Sequence, residues 1–105
     1  MAERLWWESW DPSLAPYGVL IGLLLSGRIH PAEFEALYHA TFLNDPAQHP
    51  DADFQLLDHL FAEADSYCAD PGLRAASGGI DETELVRQAN VAWQGLVSLR
   101  RSDGA

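Results

Sequence analysis

Apolar residues recur at three- and four-residue spacing through most of this chain, a pattern typical of helices that bury one face. The pattern predicts four helices. The first runs from a cap at Ser13 to a terminator at Gly27, with Pro16 in its first turn, where the missing amide donor of proline is harmless. No alternating strand pattern and no internal repeat is visible, so the chain is predicted to be all-α.

The second helix is predicted to start at Pro31 and to end near residues 44–46. Glu33 suits its first turn, and Ile29 is placed to pack against Phe34 across the start of the helix. The spacing assigns a core face to Phe34, Leu37, Tyr38, Thr41 and Phe42, and a water face to Glu33, Glu35 and His39.

The third helix is predicted to begin at Asp51 or Asp53 and to stop at the sequence Asp70-Pro71-Gly72, because proline disfavours helix in the residue before it. Asp58 and Asp65 are seven residues apart, so they share one flank. The apolar stripe of this helix consists of Phe54, Leu57, Phe61, Ala64 and Cys68, widened by Leu60 and Tyr67.

The fourth helix follows a predicted loop over residues 72–79. Asp81 is its expected cap, Glu84 is expected to reach back to the amide of Asp81, and Ile80 to pack against Leu85. Its predicted core residues are Leu85, Ala89, Ala92, Trp93, Leu96 and Leu99.

Four helices that each have one apolar face and are joined by short connections predict a single domain. Its expected architecture is an antiparallel four-helix bundle over residues 13–101. Residues 1–12 form a tryptophan-rich N-terminal leader, whose Trp6, Trp7 and Trp10 are expected to lie over the outside of the core, and residues 102–105 are expected to fray. The chain of 105 residues is long enough to bury a core of its own.

The charge of the chain is strongly negative, since sixteen carboxylates face six arginines and no lysine, giving a net charge of -10. Such a charge disfavours nucleic acid and anionic membranes as partners and favours cationic proteins, metal cations or simple solubility. Nine carboxylates fall within residues 51–84, where Arg74 is the single basic residue; they are Asp51, Asp53, Asp58, Glu63, Asp65, Asp70, Asp81, Glu82 and Glu84.

Three further features bear on location. The amino terminus lacks the basic leader and apolar segment of a signal peptide. The apolar run of the first helix is shorter than the roughly 20 residues that a membrane span needs. The lone Cys68 cannot form an internal disulfide and fits a reducing compartment, so a cytoplasmic location is expected.

Catalysis and metal binding find little support in the sequence. Paired carboxylates could serve acid–base chemistry, aspartate or glutamate with His39 or His59 could bind a metal, and His59 with Glu63 could hold an ion. A helix-surface ion pair is the simpler interpretation of His59 and Glu63. The usual signatures of metal, phosphate and nucleophile sites are missing, so we expect no enzyme activity, no cofactor and no metal.

Four segments follow one another in a distinctive order within residues 17–99: Gly27 with residues 28–34, Phe42-Leu43-Asn44-Asp45, residues 57–74, and residues 80–85. In order and spacing they resemble the colicin-D-type immunity proteins and their bacterial self-protective relatives, which are small acidic helical bundles. The tryptophan-rich leader and Ala69, where we would expect proline, depart from that family's pattern.

The resemblance implies an antitoxin that binds the basic nuclease domain of a colicin-like or contact-dependent bacterial toxin and covers its active site. The acidic face would then stand in for the phosphates of the toxin's substrate. The expected toxin-binding residues are Asp58, Asp65, Tyr67, Asp70, Asp81 and Glu82. Simpler roles stay open for three of them, because Asp81 suits a helix cap, Asp70 a turn and Tyr67 the core.

The alternative is a self-associating helical scaffold with no toxin partner. In that case the tryptophans and the first helix form a homodimer face, and the acids only keep the protein soluble.

Overall fold

The computed structural model describes the backbone of residues 12–103 and the side chains of residues 12–99. A 3-10 turn, Pro12–Leu14, leads into five α-helices in this part of the chain: α1 (Ala15–Leu25), α2 (Pro31–Leu43), α3 (Asp51–Ser66), α4 (Pro71–Ser77) and α5 (Glu82–Asp103). No strand is assigned between residues 12 and 103, which confirms the all-α class. The leader tryptophans Trp6, Trp7 and Trp10 lie outside the described residues.

The end of the first helix and the start of the second follow their sequence signals, whereas α1 begins at Ala15 after Leu14 and not after the predicted cap Ser13. Gly27 ends α1 in the left-handed region with φ of 76°, and its amide donates to the carbonyl of Leu24. Pro31 occupies the first position of α2, and the carboxylate of Glu33 accepts a hydrogen bond of 3.1 Å from the amide of His30.

The end of the third helix differs from the prediction. α3 stops at Ser66, before Tyr67 and Cys68, because Tyr67 adopts an extended backbone with ψ of 131°. The segment predicted as a loop over residues 72–79 contains α4 instead. The physical reason is that Asp70 and Pro71 start a new helix: the Asp70 side chain accepts from two amides of α4, and Pro71 fills its first position.

The four longer helices pack in pairs around one core: α1 contacts α2 and α5, and α3 contacts α2 and α5. Near the end of α2, the ring of Phe42 stacks on that of Phe54 in the first turn of α3, with centroids 5.9 Å apart. The hydroxyl of Tyr38 donates a buried hydrogen bond of 2.7 Å to the carbonyl of Leu57, which ties α2 to α3.

Among the side chains of residues 12–99, fourteen buried apolar residues form the core: Leu14, Tyr17, Leu20, Ile21, Leu24, Phe34, Tyr38, Leu57, Leu60, Ala64, Leu85, Ala89, Ala92 and Leu96. The periodicity was wrong at several positions. Leu37 and Phe54 are exposed, whereas His39, assigned to the water face, is half-buried against the ring of Phe61 at 4.7 Å. Cys68 lies outside α3 and is half-buried instead of lying on its core stripe.

The carboxyl end of the chain stays helical further than predicted. α5 reaches Asp103, so the first two residues of the tail expected to fray belong to the helix. Among the helices within residues 12–103, none combines the length and the hydropathy required to cross a lipid bilayer.

Candidate functional site

The centre of the candidate site is the point where the chain leaves α3 and enters α5. Tyr67 and Ile80 pair there in an isolated parallel bridge. The amide of Cys68 donates to the carbonyl of Ile80 at 3.0 Å, and the amide of Ile80 donates to the carbonyl of Ser66 at 2.9 Å. The bridge therefore brings the end of α3 beside the start of α5. Two predicted site residues lie there: Asp81, just before α5, and Glu82, its first residue.

Tyr67 is half-buried at this bridge, between elements that carry negative charge. Burial raises the pKa of its hydroxyl, and the charges of Glu82 and Glu35 raise that pKa further, while the charge of Arg74 opposes them. Glu35 comes from α2 and was not among the predicted site residues. The sequence around Glu35 gives no signal for this role, because the approach of α2 to the end of α3 depends on the tertiary packing.

Asp58 and Asp65 are both exposed on α3. Their seven-residue separation places them on one flank, about 10 Å apart along the helix axis. That flank borders α2, since Oδ1 of Asp65 lies 3.6 Å from Nε2 of His39. The side chain of Asp65 is nevertheless 70% exposed, so it can meet a partner without leaving its helix.

Asp70 and Asp81 are exposed and act as helix caps. Oδ1 of Asp70 accepts from the amides of Gly72 and Leu73 at 2.8 and 3.0 Å. Oδ1 of Asp81 accepts from the amide of Glu84 at 2.9 Å. The cap role of Asp81 was predicted, whereas Asp70 was predicted as a turn residue and caps α4 instead; both carboxylates are exposed to water.

Glu84 does not complete the predicted reciprocal cap. Its carboxylate instead receives Arg87, at 2.6 Å from Nη2, and the side-chain amide of Gln88 at 2.9 Å. These hydrogen bonds lower the pKa of Glu84. The charge of Glu84 is therefore partly matched on α5 itself.

Arg74 is the single basic residue of the acidic segment 51–84, and it is half-buried. Its Nη1 donates to the carbonyl of Cys68 at 2.9 Å, which fastens α4 to the bridge. The side chain of Arg74 is thus bound to the backbone of this region, whereas several carboxylates of the same segment remain exposed.

We call the following set the acidic surface: Glu35, Asp58, Asp65, Asp70, Asp81 and Glu82, with Tyr67 among them. The charges of Glu35 and Glu82 act on Tyr67, Asp81 directly follows its bridge partner Ile80, and Asp70 follows Tyr67 by three positions, whereas Asp58 lies about two helical turns before the end of α3. Asp53, one of the nine carboxylates of residues 51–84, contributes no exposed charge, because in the first turn of α3 it is only 2% exposed.

The residues weighed for metal binding have other contacts. Nε2 of His59 lies 3.1 Å from the side-chain oxygen of Gln88 on α5 and 3.6 Å from Oε1 of Glu63. Throughout the part of the chain that the structure describes, no group of three or more histidine, cysteine, aspartate or glutamate side chains is arranged to hold a metal ion.

A second polar cluster, which sequence reasoning missed, fastens the loop between α2 and α3 to α1. Oδ2 of Asp45 accepts from the hydroxyl of Tyr17 at 2.6 Å and lies 2.8 Å from Nε2 of His49. The amide of Ala47 donates to Oδ1 of Asp45 at 2.9 Å. Tyr17 lies 28 residues before Asp45, and no local pattern announces a contact over that separation.

The family model described as bacterial self-protective colicin-like immunity matches residues 13–96 of the chain. This range contains every residue of the acidic surface. No significant match was found among curated proteins or solved structures.

Proposed function

The chain belongs to the bacterial self-protective colicin-like immunity family, and we propose that it inhibits its toxin by covering the active site of a basic nuclease domain with the acidic surface. Membership of this family supports a toxin-inhibiting immunity protein. The toxin would be of the colicin-like or contact-dependent kind. The protein acts by binding alone, with no catalysis and no cofactor.

The observation that carries the proposal is the placement of carboxylates from three elements near the end of α3, where the charges of Glu35 and Glu82 act on Tyr67. Glu35 comes from α2, Asp65 from α3 and Glu82 from α5. No hydrophobic stripe or helix cap requires Glu35, Asp65 or Glu82 at these positions. Asp65 and Glu82 are exposed and Glu35 is half-buried, and all three carry negative charge.

Charge mimicry explains how such a surface inhibits a nuclease. A domain that cleaves RNA or DNA presents lysines and arginines to the phosphates of its substrate. Carboxylates that accept charge-assisted hydrogen bonds from the same cations compete directly with those phosphates. Opposite charges also speed the encounter, and the half-buried ring of Tyr67 offers contact area once the partners meet.

The framework for this surface is an antiparallel four-helix bundle made of α1, α2, α3 and α5, with α4 as an excursion in the last connection. The location is the cytoplasm, where an incoming nuclease meets its substrate. The net charge of -10 argues against direct binding to nucleic acid or to anionic membranes.

The experiment that tests the proposal uses the tagged protein as bait in a lysate of its own source. A basic nuclease domain identified by mass spectrometry is then purified and given its nucleic-acid substrate, tRNA, rRNA or DNA. We expect one equivalent of the protein to stop cleavage. Recovery of no basic nuclease, or a complex in which cleavage continues, would overturn the proposal.

The alternative, a self-associating scaffold, is favoured by one observation. A groove of about 660 Å³ between α1 and α5 is lined largely by apolar residues: Ile21, Gly22, Leu25, Ser26, Trp93, Gln94 and Val97. Neither α1 nor residues 88–99 of α5 carry a charged side chain, so two copies could meet there without opposing their acids. Sedimentation equilibrium of the full chain separates the two functions, because the scaffold requires a dimer and the immunity protein does not.

A further inference from the structure

The short helix α4 is unusual among the helices described, because it buries none of its residues. It spans only Pro71–Ser77, and a helix of seven residues has no stability of its own in water. Most helices of globular proteins form because an apolar face is covered by the core. α4 has an apolar side chain, Leu73, but that side chain is 65% exposed.

Polar and backbone contacts hold α4 in place instead. Asp70 caps its first turn, and Arg74 reaches back to the carbonyl of Cys68. Gly78, in the left-handed region with φ of 73°, ends the helix, and the amides of Gly78 and Gly79 both donate to the carbonyl of Arg74. These contacts order the helix while leaving Leu73 pointing away from the core, together with Ala76 three residues later on the same side.

Leu73 belongs to a helix that two carboxylates of the acidic surface flank in the chain, Asp70 before it and Asp81 after it. The amide of Leu73 itself donates to Asp70, and both ends of the α4 excursion meet at the bridge between Tyr67 and Ile80, next to Asp81. An exposed apolar side chain within a charged rim is the arrangement of an interface hot spot, in which the rim excludes water from a central anchor.

We propose that α4 is the apolar anchor of the toxin interface and that Leu73 inserts into an apolar pocket beside the cationic active site of the nuclease domain. This role rests on the proposed function and adds to it a contact that charge mimicry does not supply. Charge complementarity selects the partner: a basic domain gains from the surrounding carboxylates, whereas a second copy of this chain would bring its own net charge of -10 against them.

The test measures the affinity of the recovered nuclease domain for the full-length protein, for Leu73→Ala and for Leu43→Ala. Leu43 is a matched control, since it is 71% exposed at the end of α2, away from α4. We expect Leu73→Ala to weaken binding about tenfold or more, as truncation of an anchor does, and Leu43→Ala to change it less than about threefold. The melting temperature should stay the same in both variants, because neither side chain is buried.

Salt distinguishes an apolar anchor from another charge. The loss caused by Leu73→Ala should be the same at low and at high salt, whereas the affinity of the wild type falls as salt rises. Equal affinities for Leu73→Ala and wild type would overturn the role of α4 while leaving the proposed function intact. A change of oligomeric state in Leu73→Ala would also overturn it, in favour of a second copy as the occupant. If wild type binds no nuclease domain, the proposed function and the role of α4 fail together.

Discussion

Tyr67 and Ile80 pair through their backbones although twelve residues lie between them in the chain. This pairing closes the α4 excursion and fixes where α3 ends and where α5 begins. It therefore determines the relative positions of Asp65, Tyr67, Asp81 and Glu82. The described residues contain helices and loops but no strand, and this one bridge lies at the centre of the candidate site.

Gly79 lies next to this bridge, where the backbone leaves no room for a side chain. A Cβ atom at Gly79 would lie 2.6 Å from the carbonyl oxygen of Ser66, the same oxygen that accepts from the amide of Ile80. We expect Gly79→Ala to lower stability by about 1–3 kcal/mol, the usual cost of overpacking. Hydrogen exchange at the amides of Cys68 and Ile80 should speed up.

Gly27→Ala is the control for this change. Gly27 has φ of 76° and open space around the position of a Cβ atom, so its replacement costs backbone strain of about 1 kcal/mol without reaching the bridge. Unchanged exchange at Cys68 and Ile80 in Gly79→Ala would show that the bridge does not depend on close backbone approach.

Asp81 allows its cap role to be separated from its charge. Asparagine caps a helix about as well as aspartate, whereas alanine does not. We expect Asp81→Ala to lower the free energy of unfolding by about 1 kcal/mol and Asp81→Asn to lower it by only a few tenths, as measured by urea denaturation. If the charge also contacts the toxin, Asp81→Asn should still lose affinity for the nuclease domain. Equal stability of the two variants would contradict the cap seen between Asp81 and the amide of Glu84.

Much of the helical framework was predictable, because it depends on local signals. Gly27, Pro31 and Asp81 each mark a helix end through their own backbone chemistry, and the structure confirms all three. The short α4 was missed because Asp70 and Pro71 were interpreted as the end of α3, whereas α3 ends at Ser66 and these two residues start α4. Reading Asp70 as a cap, with Gly78 as the matching stop, would have found it.

The candidate site was less predictable, since several of its contacts join distant parts of the chain. The exposure of Asp58 and Asp65 followed from periodicity. The burial of Asp53 did not, because a carboxylate in a first turn ordinarily faces water. The approach of Glu35 to Tyr67 requires knowing how α2 lies against α3, which no local pattern contains.

The carboxylate of Asp45 should make stability depend on acid pH. Burial acts to raise the pKa of Asp45, but hydrogen bonds from Tyr17, His49 and the amide of Ala47 outweigh it and lower that pKa below its ordinary value of 3.8. As pH falls, the carboxylate of Asp45 is therefore protonated at a higher pH in the unfolded chain than in the folded protein. The stability that Asp45 contributes is fully present above about pH 4. It is lost as pH falls through the folded-state pKa.

Asp45→Asn should therefore be less stable than wild type at neutral pH, and the difference should shrink below about pH 4. Tyr17→Phe removes one donor to the carboxylate and should cost about 1–2 kcal/mol at neutral pH. Urea denaturation across the acid range measures both effects. A difference between wild type and Asp45→Asn that stays constant down to acid pH would show that the Asp45 carboxylate does not contribute as described.

In the proposed complex, the positions of the carboxylates, and not the total charge of the chain, determine the affinity for the toxin. The most direct test compares two double variants that each remove two negative charges: Asp58→Asn with Asp65→Asn on the flank towards α2, and Glu63→Gln with Glu84→Gln on α3 and α5. Calorimetry with the nuclease domain at two salt concentrations should show the first pair weaker by about tenfold or more at low salt, with a smaller loss at high salt. The second pair should stay close to wild type. Equal losses in the two pairs, or no loss in either, would contradict the claim that this surface imitates the phosphates of a nucleic acid.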